Sequence, residues 1–407
     1  MTRTVTRSRD WWQQRSSAFL DSCALLIEDR IGANRLGGVV LCGSFASGDE
    51  SIVLETEPPI LLSDVDLAVV VDSLEDLERW GPRRAELGAA CEALLPEIRF
   101  AGRVDAGIMV RRDLRALPAR PGVLDMKSEG RVLRGSGETL AEIPSYGAGD
   151  IPAREAVILV ENRIASLLGL AGAPAEPAGG EWYRFRYEIA KTYTDIAAAA
   201  LSLAGSYRAG YAERARIVAA APRDGRSLAG RLVDAPLAAR IESWTRFKVA
   251  PSRGAAAAGG NAVAAGALWE EAARDIDRFL TLAASFAACG EEGLRRPATA
   301  GKLAKAGRRA GGPRERLRSW RGYLGRLGAG RALAIALSRG AGMLAAFPDD
   351  VIREHAARLL AHRVRRGADS PVERPPAGFP YRASSWREAA AELSAAWHEN
   401  VFGRERA

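Results

Sequence analysis

The stretch LLSDVDLAVVVDS, residues 61–73, combines a β-strand pattern with two carboxylates at its beginning. Side chains alternate across a strand, so Asp64 and Asp66 project from one face while Val65 and Leu67 point into the core. Two carboxylates on one face repel each other, and a divalent cation is the natural group to neutralise them. The alternative is a solvated pair of aspartates at the start of a strand.

A third carboxylate favours the metal hypothesis. In GRVDAGIMV, residues 102–110, Asp105 lies within another predicted strand. If that strand pairs beside the strand of Asp64 and Asp66, the three carboxylates meet. Three carboxylates can hold two Mg²⁺ ions, which is the arrangement used for in-line transfer of a nucleotidyl group from a nucleoside triphosphate (NTP). We therefore expect Asp64, Asp66 and Asp105 to be catalytic and metal-binding residues.

Small residues follow the first predicted strand in LCGSFASGDE, residues 41–50. Such residues let a backbone approach a ligand closely, and a serine hydroxyl beside them can bind phosphate oxygens. Gly43 and Ser44 are therefore candidate nucleotide-binding residues. Taken alone, such a stretch is more often an ordinary turn.

Together these three parts resemble the nucleotidyltransferases with a DNA polymerase β-like catalytic fold. Their pattern is a strand, Gly-Ser, D-x-D on the next strand and a later Asp. The resemblance covers roughly residues 35–140. It implies that Ser44 and the Gly43 backbone hold the triphosphate, that Asp64 and Asp66 bind metal, and that Asp105 completes the site and helps to deprotonate the acceptor. Because this core modifies antibiotics, RNA ends and proteins and also makes oligonucleotides, the fold does not select the acceptor.

Two segments within this region qualify the resemblance. Nineteen residues separate Ser44 from Asp64, more than is usual in the family, and ESIVLETEPPILL looks like an inserted hairpin that covers the nucleotide. LDMKSEGRVLRGSGE resembles the stretch that ends the catalytic sheet. Within it, Lys127 and Arg134 are either phosphate or base contacts or solvated residues.

The remainder of the chain is predicted to be helical. We expect an α+β fold, with an α/β-type nucleotidyltransferase domain over residues 1–150 and an all-α domain over 151–407, with a candidate break near 290–313. Asp150 is expected to cap the first helix of the second domain, with Pro152 in its first turn. The predicted helices of that domain span 152–170, 181–204, 206–221, 236–249, 262–288, 313–346, 348–365 and 386–402.

One of these helices carries a further candidate, Lys191. Together with Tyr187 and Asp195 it forms a polar stripe at helical spacing. In related enzymes a helix of the second domain offers a basic residue to the triphosphate, so the resemblance makes Lys191 a nucleotide-binding candidate. The alternative is an intrahelical ion pair with Asp195 or Glu188. Two residues of the following segment are candidates to join Lys191: Tyr207 and Arg214.

Composition sets the remaining expectations for this chain of 407 residues and net charge +8. The segment 295–326 holds eleven Arg and Lys against one Glu. It would bind nucleic acid, with Trp320 and Tyr323 stacking on bases, or serve as a linker and solvated helix, and we favour the second. The scattered cysteines and histidines suggest neither disulfides nor zinc, and we expect a cytoplasmic protein without a membrane span.

The sequence thus predicts a nucleotidyltransferase that moves a nucleoside monophosphate from an NTP, with ATP expected, to a hydroxyl acceptor of unknown identity. Two Mg²⁺ ions are the expected cofactors, and pyrophosphate is the expected leaving group. The alternatives are an oligonucleotide or cyclic-nucleotide synthase and a catalytically silent nucleotide-binding protein.

Overall fold

The computed structural model describes residues 7–95, 97–172, 177–224, 226–254, 264–295, 312–326, 347–367 and 385–402. They form an α+β structure with a small mixed sheet and a large helical portion, which confirms the predicted fold class at that level. The division into domains at residue 150 stays a prediction. No helix among the described residues is long and apolar enough to cross a membrane.

The first part of the chain contains the strands. They are β1 (Leu36–Cys42), β2 (Ile52–Val53), β3 (Ile60–Leu61), β4 (Val65–Val71), β5 (Arg99–Phe100), β6 (Val104–Val110) and β7 (Arg131–Gly135). The helices between them are α1 (Arg9–Ile31), α2 (Gly43–Ser47), α3 (Leu74–Trp80), α4 (Arg84–Glu92), α5 (Arg111–Leu114) and α6 (Pro121–Glu129).

The second part is helical. Its helices are α7 (Ala153–Leu168), α8 (Gly179–Leu203), α9 (Tyr211–Ala220), α10 (Leu228–Leu232), α11 (Ala235–Val249), α12 (Ala265–Cys289), α13 (Glu291–Arg295), α14 (Pro313–Arg326), α15 (Pro348–Arg366) and α16 (Trp386–Phe402). α8 packs against α7, α9, α11 and α12 and is therefore central to this part of the structure.

The main sheet has the strand order β6-β4-β1-β7. β1 is antiparallel to both of its neighbours, whereas β4 and β6 run parallel. The strand predicted to end the catalytic sheet, β7, lies at its edge. α1 and α4 cover one face of the sheet in a cluster with Ile27, Val69 and Leu87, which keeps β4 buried along its length.

The predicted hairpin after Ser44 is present as the antiparallel pair β2 and β3, and β5 adds to it in parallel. Its side chains Val53 and Ile60, with Leu62 beyond it, belong to the large hydrophobic cluster of the helical part. Burial of these apolar side chains therefore stabilises the contact between the two parts of the chain next to Asp64.

Most of the predicted helices of the second part are confirmed, with two corrections. Asp150 does not cap α7, because its carboxylate accepts a hydrogen bond from the backbone N–H of Gly147. The helix predicted from 206 begins only at Tyr211, since Gly210 has φ of 79° and cannot continue a right-handed helix. Of the helix predicted over 313–346, residues 327–346 lie outside the described residues.

The close packing of α4 on β6 can be tested by adding a methyl group at a glycine of α4. A Cβ on Gly88 would lie 2.3 Å from the carbonyl oxygen of Val104, the residue before Asp105, whereas one on Gly122 would meet nothing within 4 Å. We expect Gly88→Ala to lower the free energy of unfolding by about 1–3 kcal/mol through overpacking. Gly122→Ala, also in a helix, should cost nothing by this route. Urea denaturation of both variants decides it, and equal stabilities would contradict close α4–β6 packing.

Candidate functional site

A cleft of about 1070 Å³ lies between the sheet and the helices. The predicted site residues Gly43, Ser44, Asp64, Asp66, Asp105 and Lys191 all line it. Its opposite wall comes from α7, α8 and α16. The stripe of Tyr187, Lys191 and Asp195 on α8 faces the cleft as well. The structure thus brings these six predicted residues together around one cleft.

The register of β4 and β6 places the three aspartates. Asp66 is the direct partner of Asp105 in the parallel pairing, and Asp64 lies two residues before Asp66 on the same face of β4. Val65 and Leu67, on the other face, are buried in the core as predicted. The condition set by the sequence, that the third carboxylate lie on the neighbouring strand, is met.

Gly43 lies directly against this carboxylate group. β1 ends at Cys42, and Gly43 begins the short helix α2 with φ of 63°, a left-handed conformation that favours glycine. A Cβ at Gly43 would lie 2.5 Å from Oδ2 of Asp66. A glycine is therefore required here by backbone conformation and by the closeness of Asp66.

The Asp66 carboxylate is electrostatically unfavourable in the protein alone. Burial, together with the charges of Asp64 and Asp105, raises the pKa of Asp66 to about 7, although Lys191 and Arg103 oppose this rise. Neither Asp66 nor Asp105 makes a side-chain hydrogen bond or ion pair with another described residue. Crowded carboxylate oxygens of this kind are the donors that a hard divalent cation prefers.

The carboxylates therefore fit Mg²⁺ in their chemistry, although they are not yet arranged around one point. Among the described residues, no three His, Cys, Asp or Glu side chains already have a metal-holding arrangement. Asp64 instead contacts other groups: its Oδ1 accepts a hydrogen bond from the backbone N–H of Arg103 at 3.1 Å, and its Oδ2 lies 3.6 Å from Nζ of Lys191.

Lys191 does not form the intrahelical pair considered from the sequence. The carboxylates of Glu188 and Asp195 are both bound by Arg163 of α7, at 3.1 and 2.7 Å, which leaves Asp64 as the ion-pair partner of Lys191. Burial lowers the pKa of Lys191, but Glu188, Asp64 and Asp195 outweigh this and raise it overall. The Lys191 ammonium therefore stays charged in the cleft.

A second lysine lies behind the site. Lys248 of α11 is 1% exposed, and its Nζ donates to Ser51 Oγ at 3.0 Å and to Ser63 Oγ at 3.5 Å. Ser63 precedes Asp64, so Lys248 connects the helical part to the loop that carries a candidate ligand. Burial and the charge of Lys191 lower the pKa of Lys248 to about 7.

The other candidates lie elsewhere. Lys127 donates to the carbonyl oxygens of Leu140 and Ala141, and Arg134 pairs with Glu28, so neither contacts the cleft. Tyr207 and Arg214 bind each other and the Asp125 carboxylate of α6, which makes them a junction between the two parts of the chain. They do not join Lys191.

The base-stacking alternative for the basic segment does not hold for its aromatic residues. Trp320 and Tyr323 are buried and pack edge to face on each other. Residues 296–311 of the segment lie outside the described residues. Of the histidines, which the sequence did not single out as site residues, His398 lines the cleft.

Sequence reasoning missed Lys248 and Arg163. Lys248 continues the apolar stripe of α11 formed by Leu237, Ile241 and Trp244, and a lysine on such a stripe was the available signal. Arg163 carries no comparable signal, because arginine is common in this chain and its partners lie on another helix.

Gly43 and Gly48 allow the contact with Asp66 to be tested separately from backbone strain. Both have positive φ, but a Cβ on Gly48 would meet nothing within 4 Å. Alanine at either position should cost about 1–3 kcal/mol through backbone strain. Gly43→Ala alone should also displace Asp66 and weaken Mn²⁺ binding, measured by electron paramagnetic resonance, by about 10- to 100-fold. Equal Mn²⁺ affinities would show that Gly43 does not position the carboxylate.

Lys248 gives a prediction about stability and pH. Its pKa is about 7 in the folded protein against an ordinary value of 10.5, so between these pH values the unfolded chain binds a proton that the folded protein lacks. Stability from this group therefore rises with pH across that window, by up to about 1.4 kcal/mol per pH unit, and its full cost is present below pH 7. The free energy of unfolding of wild type minus that of Lys248→Met should increase from pH 7 to 10. Parallel pH profiles would contradict a buried, shifted Lys248.

Comparison with protein-family models, with curated proteins and with solved structures found no match. The resemblance to polymerase β-like nucleotidyltransferases stays a prediction. It rests on Gly43, Ser44 and the three aspartates, and on their placement around one cleft.

Proposed function

We propose that this protein transfers a nucleoside monophosphate from an NTP, with ATP expected, to a hydroxyl group of an acceptor and releases pyrophosphate. The observation that carries the proposal is the β4–β6 register, which sets Asp66 beside Asp105 with Asp64 two residues away. Gly43 lies against Asp66, and Ser44 lines the same cleft. This combination supports nucleotidyl transfer because it joins a donor set for Mg²⁺ to a backbone that a phosphate can approach.

The two walls of the cleft offer different groups to two substrates. Single small-molecule sites usually occupy about 300–1,000 Å³, and this cleft has about 1070 Å³. Its wall opposite the aspartates offers Ser166, Ser394 and His398 as polar groups for an acceptor. The cleft therefore has room for a nucleotide on the strand side and an acceptor on the helix side.

The proposed reaction gives a role to each residue of the site. Ser44 would donate its hydroxyl to a phosphate oxygen, and Asp64, Asp66 and Asp105 would hold Mg²⁺. Bound Mg²⁺ would supply charge neutralisation at the triphosphate and lower the pKa of the attacking hydroxyl. The acceptor oxygen attacks the α-phosphorus, the bond from that phosphorus to the pyrophosphate oxygen breaks, and Asp105 accepts the hydroxyl proton.

The first experiment is incubation of the protein with Mg²⁺ and each labelled NTP, with pyrophosphate release as the readout. Panels of hydroxyl compounds then serve as acceptors. A labelled product that forms from NTP alone would indicate an oligonucleotide or cyclic-nucleotide synthase instead. Nucleotide binding with no pyrophosphate released under any condition would favour the catalytically silent alternative.

Asp66→Asn is the variant that tests the proposed mechanism. It removes the carboxylate at the centre of the group and should reduce turnover by about 10²- to 10⁴-fold, the range for losing one positioned catalytic group. Asp72→Asn is the matched control, because Asp72 follows the other end of β4 and pairs with Arg111 outside the cleft. Turnover by Asp66→Asn equal to that of Asp72→Asn would contradict the proposed site.

A further inference from the structure

Lys191 forms an ion pair with a residue outside its own helix. Its Nζ reaches across the cleft from α8 to Oδ2 of Asp64 at 3.6 Å. The carboxylates nearest to it on α8, Glu188 and Asp195, are bound by Arg163. The ion pair between Lys191 and Asp64 is therefore the charged contact that joins the helical wall to the aspartates.

The surroundings of Lys191 hold it at this place but leave it room to move. Its ammonium lies 5.3 Å from the centre of the Tyr187 ring, and the side chain is 24% exposed to the cleft. Tyr187 in turn donates to Ser63, the neighbour of Asp64. A flexible, charged side chain at the mouth of a carboxylate group can exchange one anionic partner for another without backbone movement.

Lys191 acts on the whole carboxylate group. It opposes the mutual repulsion of Asp64, Asp66 and Asp105, and so supplies positive charge where a divalent cation would otherwise be needed. A cation that entered at Asp64 would meet this ammonium and be repelled by it. The ammonium and the metal therefore compete for one carboxylate.

We propose that Lys191 is an exchangeable counter-ion, which neutralises Asp64 in the protein without ligands and moves to the nucleotide phosphates when a divalent metal binds Asp64. This inference rests on the proposed function, since it takes an NTP as the ligand that receives the ammonium. Metal alone must displace Lys191 without offering it another anion. A metal–NTP complex offers that anion, so metal and nucleotide bind in concert.

Mn²⁺ binding to the full-length protein tests the exchange without any turnover. Electron paramagnetic resonance gives the Mn²⁺ affinity of wild type, Lys191→Met and Lys127→Met, each with and without a non-hydrolysable ATP analogue. Lys127→Met is the matched control, because that ammonium is bound by backbone carbonyls outside the cleft. Lys191→Gln serves as a second variant, and circular dichroism confirms that each variant is folded.

If Lys191 moves from Asp64 to the phosphates, Lys191→Met should change Mn²⁺ binding differently with and without the nucleotide analogue. Without nucleotide, Lys191→Met should bind Mn²⁺ at least about fivefold more tightly than wild type, the lower end of typical coupling between sites. The factor by which the analogue strengthens Mn²⁺ binding should be smaller in Lys191→Met than in wild type, and Lys127→Met should match wild type in both. Unchanged or weaker Mn²⁺ binding by both Lys191 variants without nucleotide would overturn the proposal.

The exchange and the proposed function can fail separately. Tighter Mn²⁺ binding by Lys191→Met, together with no NTP turnover by wild type, would support competition between Lys191 and metal at Asp64 and contradict the proposed activity. NTP turnover by wild type, together with unchanged Mn²⁺ affinity in the Lys191 variants, would support the proposed activity and contradict the movement of Lys191 from Asp64 to the phosphates.

Discussion

The parallel pairing of β4 with β6 sets the Asp66 carboxylate against that of Asp105, and most of the cleft follows from this constraint. Apolar residues bury both strands on the opposite face, so a shift of register would expose the core and is opposed by its burial. The strands thus hold a carboxylate beside like charges, and burial, followed by the charges of Asp64 and Asp105, raises the pKa of Asp66. Groups with strongly shifted pKa values cluster at functional sites.

The helical part places two lysines, in different environments, near this concentration of negative charge. Lys191 reaches Asp64 from the cleft and is partly exposed, so its charge is available to a ligand. Lys248 is buried and donates to the side chain of Ser63, the residue before Asp64. Since both lysines belong to the helical part, the charge state and geometry of the aspartates depend on how that part packs against the sheet.

The sequence predicted the strands that carry the aspartates because alternation and hydrophobic runs are local signals. It also placed most helices, for the same reason. It could not give the partner of Lys191, because Arg163 binds both carboxylates that compete with Asp64 and lies on a different helix. The prediction that Asp150 caps α7 was wrong for a more local reason. Its carboxylate could accept a hydrogen bond either from the start of α7 or from the preceding turn, and it accepts one from the backbone N–H of Gly147.

The proposed function requires that the three aspartates bind divalent metal beside a nucleotide. Anomalous scattering from crystals grown with Mn²⁺ and a non-hydrolysable ATP analogue tests it most directly. We expect Mn²⁺ bound by Asp64, Asp66 and Asp105, phosphate oxygens beside Gly43 and Ser44, and Lys191 on the triphosphate. Mn²⁺ bound away from these carboxylates, or a triphosphate that lies outside the cleft, would contradict it.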